Sequence, residues 1–157
     1  MVDCRVVCAP ADPDSLDARA LIAELDAALA AITGDSGASS FDAADVRGPG
    51  AVFLVARATD GTAVGCGALR PLADAVGQPV AELKRMFARP GSGAGRALLA
   101  ALEAQATSMG YRAIHLSTRR VNARAVDFYR RHGYIDVAAW GKYVGSERSV
   151  CLGRVLV

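Results

Sequence analysis

PVAELKRMFARP (residues 79–90), GSGAGR (91–96) and ALLAALEAQATSM (97–109) follow one another without a break, and their reading decides the fold. Val80, Leu83, Met86 and Phe87 supply strand-forming apolar residues, and Pro90 closes the strand because it has no N–H to donate. Glycines then stand at 91, 93 and 95. A helix opens at once, with Leu98, Leu99, Leu102, Ala106 and Met109 at helical spacing and Gly110 just past its end. A helix N-terminus carries unpaired N–H groups and a partial positive charge, and glycine lets an anion approach the backbone. Residues Gly91, Ser92, Gly93, Ala94, Gly95 and Arg96 therefore form a candidate phosphate cradle, with a plain tight turn as the alternative. Two other nucleotide motifs fail on the letters. A P-loop needs a lysine after its glycines, and the spacing here is GxGxG rather than the GxGxxG of a dinucleotide fold.

The 157 residues, 52% hydrophobic, suit one domain spanning 1–157 with a substantial core. A formal net charge of +2 gives no basis for binding nucleic acid or an anionic membrane. The amino terminus has no long apolar run, so a cytoplasmic protein is expected. Cys4, Cys8, Cys66 and Cys151 show no ligand-pair spacing, and His115 and His132 lie far from them, so the expectation is free thiols and no metal.

Outward from the central stretch, Cys4 to Cys8 reads as a first strand. Asp14 or Ser15 then caps a helix with Leu21, Leu25, Ala28 and Ile32 on one face, ended by Gly34. A long loop with one helical turn follows. AVFLVARA and TAVGCGALRPL flank Thr59-Asp60-Gly61 as a hairpin. YRAIHLST is a strand, NARAVDFYRRHG a short helix capped by Asn122 and closed by Gly133, and YIDVAAW and SVCLGRVLV two last strands. This order predicts an α/β fold: a mixed, mostly antiparallel central sheet with flanking helices and a parallel crossover in its middle.

On the short helix Asn122, Val126 and Tyr129 share a face. Taken alone, Tyr129 is an amphipathic-helix residue with a buried ring and a hydroxyl at the rim. Together, however, AELKRMFARP, GSGAGRALL and Asn122, Ala125, Phe128, Tyr129, Gly133 and Tyr134 closely resemble the GNAT superfamily of acetyl-CoA-dependent N-acetyltransferases, as do VGCGALRPL and SVCLGRVL in its bacterial branch. Pro90 stands where that family's glycine turn carries Gln or Arg, with Arg89 one position away.

The resemblance implies acetyl-CoA as co-substrate and direct attack on its thioester by a primary amine of a small molecule. It places pyrophosphate on the amides of Gly91 to Arg96, adds Asn122 to the cofactor-binding residues, and pairs pantetheine with the backbone of Met86, Phe87 and Ala88. A bulge near Met86 or Phe87 would aim an N–H at the acetyl oxygen. Tyr129 matches the family's general acid. Glu82 is the candidate base, since it alone among the glutamates lies on the central strand; pairing with Lys84 or an arginine is the structural alternative. A protein or peptide acceptor, and a non-catalytic acyl-CoA sensor, stay open as further readings. A homodimer is compatible with the family, although no residue marks an interface.

Overall fold

The described residues are 5–72 and 77–157 of a computed structural model. Cys4, at the start of the expected first strand, lies outside them. Seven strands join in one sheet of order β1-β2-β3-β4-β5-β7-β6. They are β1 (Val7–Pro10), β2 (Val52–Arg57), β3 (Ala63–Pro71), β4 (Val80–Ala88), β5 (Ala113–Arg119), β6 (Ile135–Asp136) and β7 (Ser149–Val155). Every neighbouring pair is antiparallel except β4 and β5, which run parallel. Helices α1 (Leu16–Thr33), α2 (Ala94–Ser108) and α3 (Ala123–Arg131) flank it, so the mixed α/β order read from the sequence is the observed one.

Local chemistry sets the helix ends. The Ser15 hydroxyl accepts from the Ala18 amide at 3.3 Å, and Gly34 closes α1 in the left-handed region with its N–H on the Ala30 carbonyl. Asn122 caps α3 through the Ala125 amide at 3.3 Å. Three expectations shift. The first strand runs to Pro10, which is tolerated because β1 is an edge strand and loses no ladder bond there. YIDVAAW pairs over only two residues. The loop after α1 holds two short 3₁₀ turns, Ala38–Ser40 and Ala43–Val46, rather than one.

Each sheet face has its own core. On one, Leu98, Leu99, Leu102 and Ala106 of α2 pack with Leu54, Leu69, Leu83, Ile114, Leu116 and Tyr129. On the other, Ala18 and Leu21 of α1 and Val46 pack with Phe53, Val55, Cys66 and Ala68. Each fully buried leucine contributes about 1.5–3 kcal/mol. Ala28 and Ile32, expected to continue the α1 core face, instead border an open cleft.

That cleft arises where the sheet stops pairing. β4 and β5 share register only at Val80↔Ala113, Ala81↔Ile114 and Glu82↔His115. Beyond them β5 stays on β7 as far as Arg119, and β4 stays on β3 as far as Ala88. The two central strands therefore splay apart. In the same segment the β3–β4 register slips: Cys66 faces Phe87 but Ala68 faces Lys84, so Arg85 and Met86 together oppose Gly67. This is a β-bulge, and Arg85 (φ 54°) is the one non-glycine residue in the left-handed region among those described. Two glycines of β3 allow the close approach. A Cβ on Gly65 would stand 2.7 Å from the Phe87 carbonyl oxygen and 2.8 Å from Leu98, and one on Gly67 would stand 2.7 Å from Leu102.

Gly65→Ala tests this packing. Because one clashing atom is backbone of β4, relief requires a strand shift, and urea unfolding should show a loss of about 1–3 kcal/mol. An unchanged midpoint would mean that β4 is free to move away from β3.

Candidate active site

The cleft between the splayed strands has a volume of about 1160 Å³ and is lined by elements from both sheet faces. Its walls are β4 from Leu83 to Ala88, β5 from Leu116 to Arg119, the apolar side of α1 at Leu25, Ala28, Leu29 and Ile32, and α3 at Ala125, Phe128 and Tyr129.

One end is the glycine turn. Gly91 and Gly93 both hold positive φ (75° and 72°), which lets the chain reverse from strand into helix within five residues. Two amides of the turn are used internally: Ser92 N–H donates to the Arg89 carbonyl at 3.1 Å, and Ala94 N–H to Ser92 Oγ at 3.2 Å. Gly93, Gly95 and Arg96 line the cleft where α2 begins, and no side chain caps Gly93, so the first-turn amides lack a capping acceptor there. Gly95 has Phe128 against it, 3.5 Å from where a Cβ would stand. Arg96, Arg124 and Arg131 also border this end. Arg89 is held by Glu24, with Nη2–Oε2 at 2.8 Å. Asn122 lines the cleft while its side chain serves the α3 cap. Open amides, a helix N-terminus and arginines suit an extended anionic chain ending in phosphates.

The middle of the cleft is the bulge, and the backbone of Met86, Phe87 and Ala88 borders it. Arg85 anchors it. Its guanidinium pairs with Asp26 of α1 and donates to the Ser36 carbonyl at 3.2 Å, while Nε stays buried without a partner. The Cys66 thiol donates to the Arg85 carbonyl at 3.4 Å, and burial pushes that thiol's pKa up to about 12. Helix α1, β3 and β4 are thus tied together at the strained residue.

Tyr129 is buried between Phe128 (ring centroids 5.2 Å) and Tyr134 (5.6 Å), and its burial raises the phenol pKa well above the usual value. Tyr134 is itself fixed by its hydroxyl on Glu103 at 3.3 Å, which also receives Arg154 at 2.9 Å. Tyr129 Oη donates to no acceptor among the described residues, and the residue borders the cleft.

Glu82 lies elsewhere than the cleft wall. It is 4% exposed, Arg70 Nε donates to one carboxylate oxygen at 2.8 Å, and Trp140 Nε1 donates to the other at 3.2 Å. Arg70 also reaches Asp45 at 2.5 Å. Of the two partners weighed for Glu82, the structure gives an arginine. Lys84 instead donates to the Tyr143 hydroxyl at 3.2 Å. Lys84, expected only as a possible partner of Glu82, and Arg85 both belong to the cleft wall; their signal in the sequence was two adjacent charges inside an otherwise buried strand. Among the described residues no three metal-ligating side chains cluster, and no helix is long and apolar enough to cross a membrane.

Residues 19–134 match the family model described as acetyltransferase (GNAT) family. The chain belongs to the GNAT family. It is therefore a member of a family of acyl-CoA-dependent acetyltransferases that use acetyl-CoA as co-substrate. A relative named IAA acetyltransferase from Azospirillum brasilense is 36% identical over 126 residues, covering 78% of this chain and 80% of its own. Among solved structures, one assigned as an acyl-CoA N-acyltransferase from Klebsiella pneumoniae superposes with TM-score 0.77 at 28% identity, covering 97% of this chain and 98% of that one. An acetyltransferase from Streptococcus agalactiae superposes with TM-score 0.76 at 19% identity, over 96% and 98% of the two chains, a likeness of fold.

Asp26→Asn isolates the bulge anchor. Breaking a fully buried ion pair costs about 3–5 kcal/mol, and the partial exposure of Asp26 reduces the expected loss to about 2. Chemical denaturation measures it; a change below about 0.5 kcal/mol would show that Arg85 does not need Asp26 to stay buried.

Proposed function

We infer that this GNAT member transfers an acetyl group from acetyl-CoA to the primary amine of a small molecule, by direct attack on the thioester. One observation carries the reading: a strand that bulges exactly once, at the point where its parallel neighbour departs, next to a helix N-terminus with open amides. Bound there, the thioester supplies the activated acyl group. The chain's own residues do the rest. Amides of Gly93, Gly95 and Arg96 are suited to receive phosphate oxygens, and the Met86–Ala88 edge is suited to pair with an amide-bearing arm. A backbone N–H at the bulge would polarise the acyl carbonyl.

Tyr129 is the proposed proton donor to the departing thiolate. Its raised pKa keeps it protonated at neutral pH. A thiolate released into the same dry surroundings is also destabilised, which brings the two proton affinities together. Glu82, with a donor on each oxygen, holds Arg70 and Trp140 in place; the amine's proton must go elsewhere. The small-molecule acceptor draws support from the A. brasilense relative, whose name is IAA acetyltransferase.

A thiol-release assay with acetyl-CoA and a panel of amines, amino acids and short peptides tests the reaction, and release only with peptides would move the acceptor to a polypeptide. Binding of acetyl-CoA with no release across the panel would leave a sensor. Tyr129→Phe should lower kcat by about 10²-fold or more while calorimetry still shows acetyl-CoA binding, since the phenol ring's packing is kept. Near-normal turnover would remove Tyr129 from the mechanism.

A further inference from the structure

Lys84 is a basic side chain within the buried run of β4, and acyl-donor binding makes no use of it. It immediately precedes the bulge residue Arg85 and lines the cleft. Its Nζ is 3.2 Å from Tyr143 Oη and 5.9 Å from that ring's centroid. Among the described residues no carboxylate pairs with it, because Glu82 on its own strand face is committed to Arg70 and Trp140. An amine lining the cleft next to the bulge, without a counter-ion, gives up its proton more readily than an exposed lysine does.

We propose that Lys84, held in the cleft by the Tyr143 hydroxyl, takes the proton from the attacking amine. This rests on the acetyl-transfer reading above. The surroundings support it. Burial is the main influence and brings the Lys84 ammonium down to about 8; Arg70, Lys142 and Arg85 push the same way, and only Glu82 opposes them. Tyr143 is itself half-buried and stays a neutral phenol, its pKa raised by that partial burial. An ordinary lysine is neutral at pH 7 in about one molecule in two thousand, whereas one of pKa 8 is neutral in about one in ten.

The step balances within the cleft. The substrate ammonium gives one proton to the Lys84 lone pair, its freed nitrogen forms the C–N bond and sheds its second proton to water, and the C–S bond breaks toward sulfur. The thiolate takes a proton from Tyr129. As products leave, Lys84 returns its proton to water and Tyr129 recovers one, so no net charge accumulates.

Two readouts test it. The chain has only two lysines, Lys84 and Lys142, so ¹³C-lysine labelling gives two side-chain titrations, assigned with Lys142→Arg, and neither needs substrate. Lys84 is expected to titrate near pH 8; titration at pH 10 or above overturns the proposal. In the second, Lys84→Arg keeps the charge but cannot accept a proton. It should lower kcat by about 10²-fold or more and abolish the acidic limb of the kcat/KM–pH profile, with acetyl-CoA affinity unchanged. Turnover within about threefold of wild type would show that Lys84 serves only as a cation, and overturns the base role. Wild-type thiol release judges the acetyl-transfer reading separately: its absence, with Lys84 titrating near pH 8, sinks that reading and leaves Lys84 a readily deprotonated amine without a reaction.

Discussion

Parallel pairing between β4 and β5 lasts for three residues and then gives way, and the rest of the site depends on that interruption. A strand that leaves its neighbour exposes backbone N–H and C=O groups, which cost free energy unless something pairs with them. Here they front a cleft wide enough for an extended ligand. The bulge is part of the same constraint. Holding Arg85 at positive φ costs about 1–3 kcal/mol. The Asp26 ion pair, the Ser36 carbonyl, the Cys66 thiol and two glycines on β3 together over-determine it.

The chemistry is divided along the strand. Residues after the bulge, Met86 to Ala88, border the cleft and pack their side chains against the cores on the two sheet faces. Residues before it present Glu82 and Lys84, whose fates differ because of one neighbour: Arg70 takes Glu82 and leaves Lys84 to Tyr143. A buried carboxylate with two donors is held in place, whereas a half-buried amine with one hydroxyl partner has its ammonium form disfavoured by that burial. On the other side of the cleft Tyr129 is locked by Phe128 and Tyr134, so its hydroxyl is placed without a hydrogen bond directing it.

Much of this was legible in the letters. The strand–glycine–helix run fixed the parallel crossover, since period-3.6 apolar residues followed directly on a β-rich segment, and Gly34, Gly110 and Gly133 marked helix ends where the structure has them. Side-chain destinations were less legible. Ala28 and Ile32 fall on the same helical stripe as Leu21 and Leu25, and periodicity cannot tell a core from a cleft wall. The Glu82–Arg70 pairing depends on hairpin register across β3, and the Lys84–Tyr143 contact spans 59 residues, so neither is carried by local pattern. The bulge entered only through family resemblance, because Arg85 is not a residue whose type announces a left-handed backbone.

Backbone amides at the break in the sheet are, on this account, what holds the acyl donor. Amide NMR of ¹⁵N-labelled protein during titration with acetyl-CoA tests that most directly. Saturable shifts concentrated at Arg85–Ala88 and Gly91–Arg96 are the predicted result. Saturation with those amides unmoved, or no binding at millimolar acetyl-CoA, would contradict it.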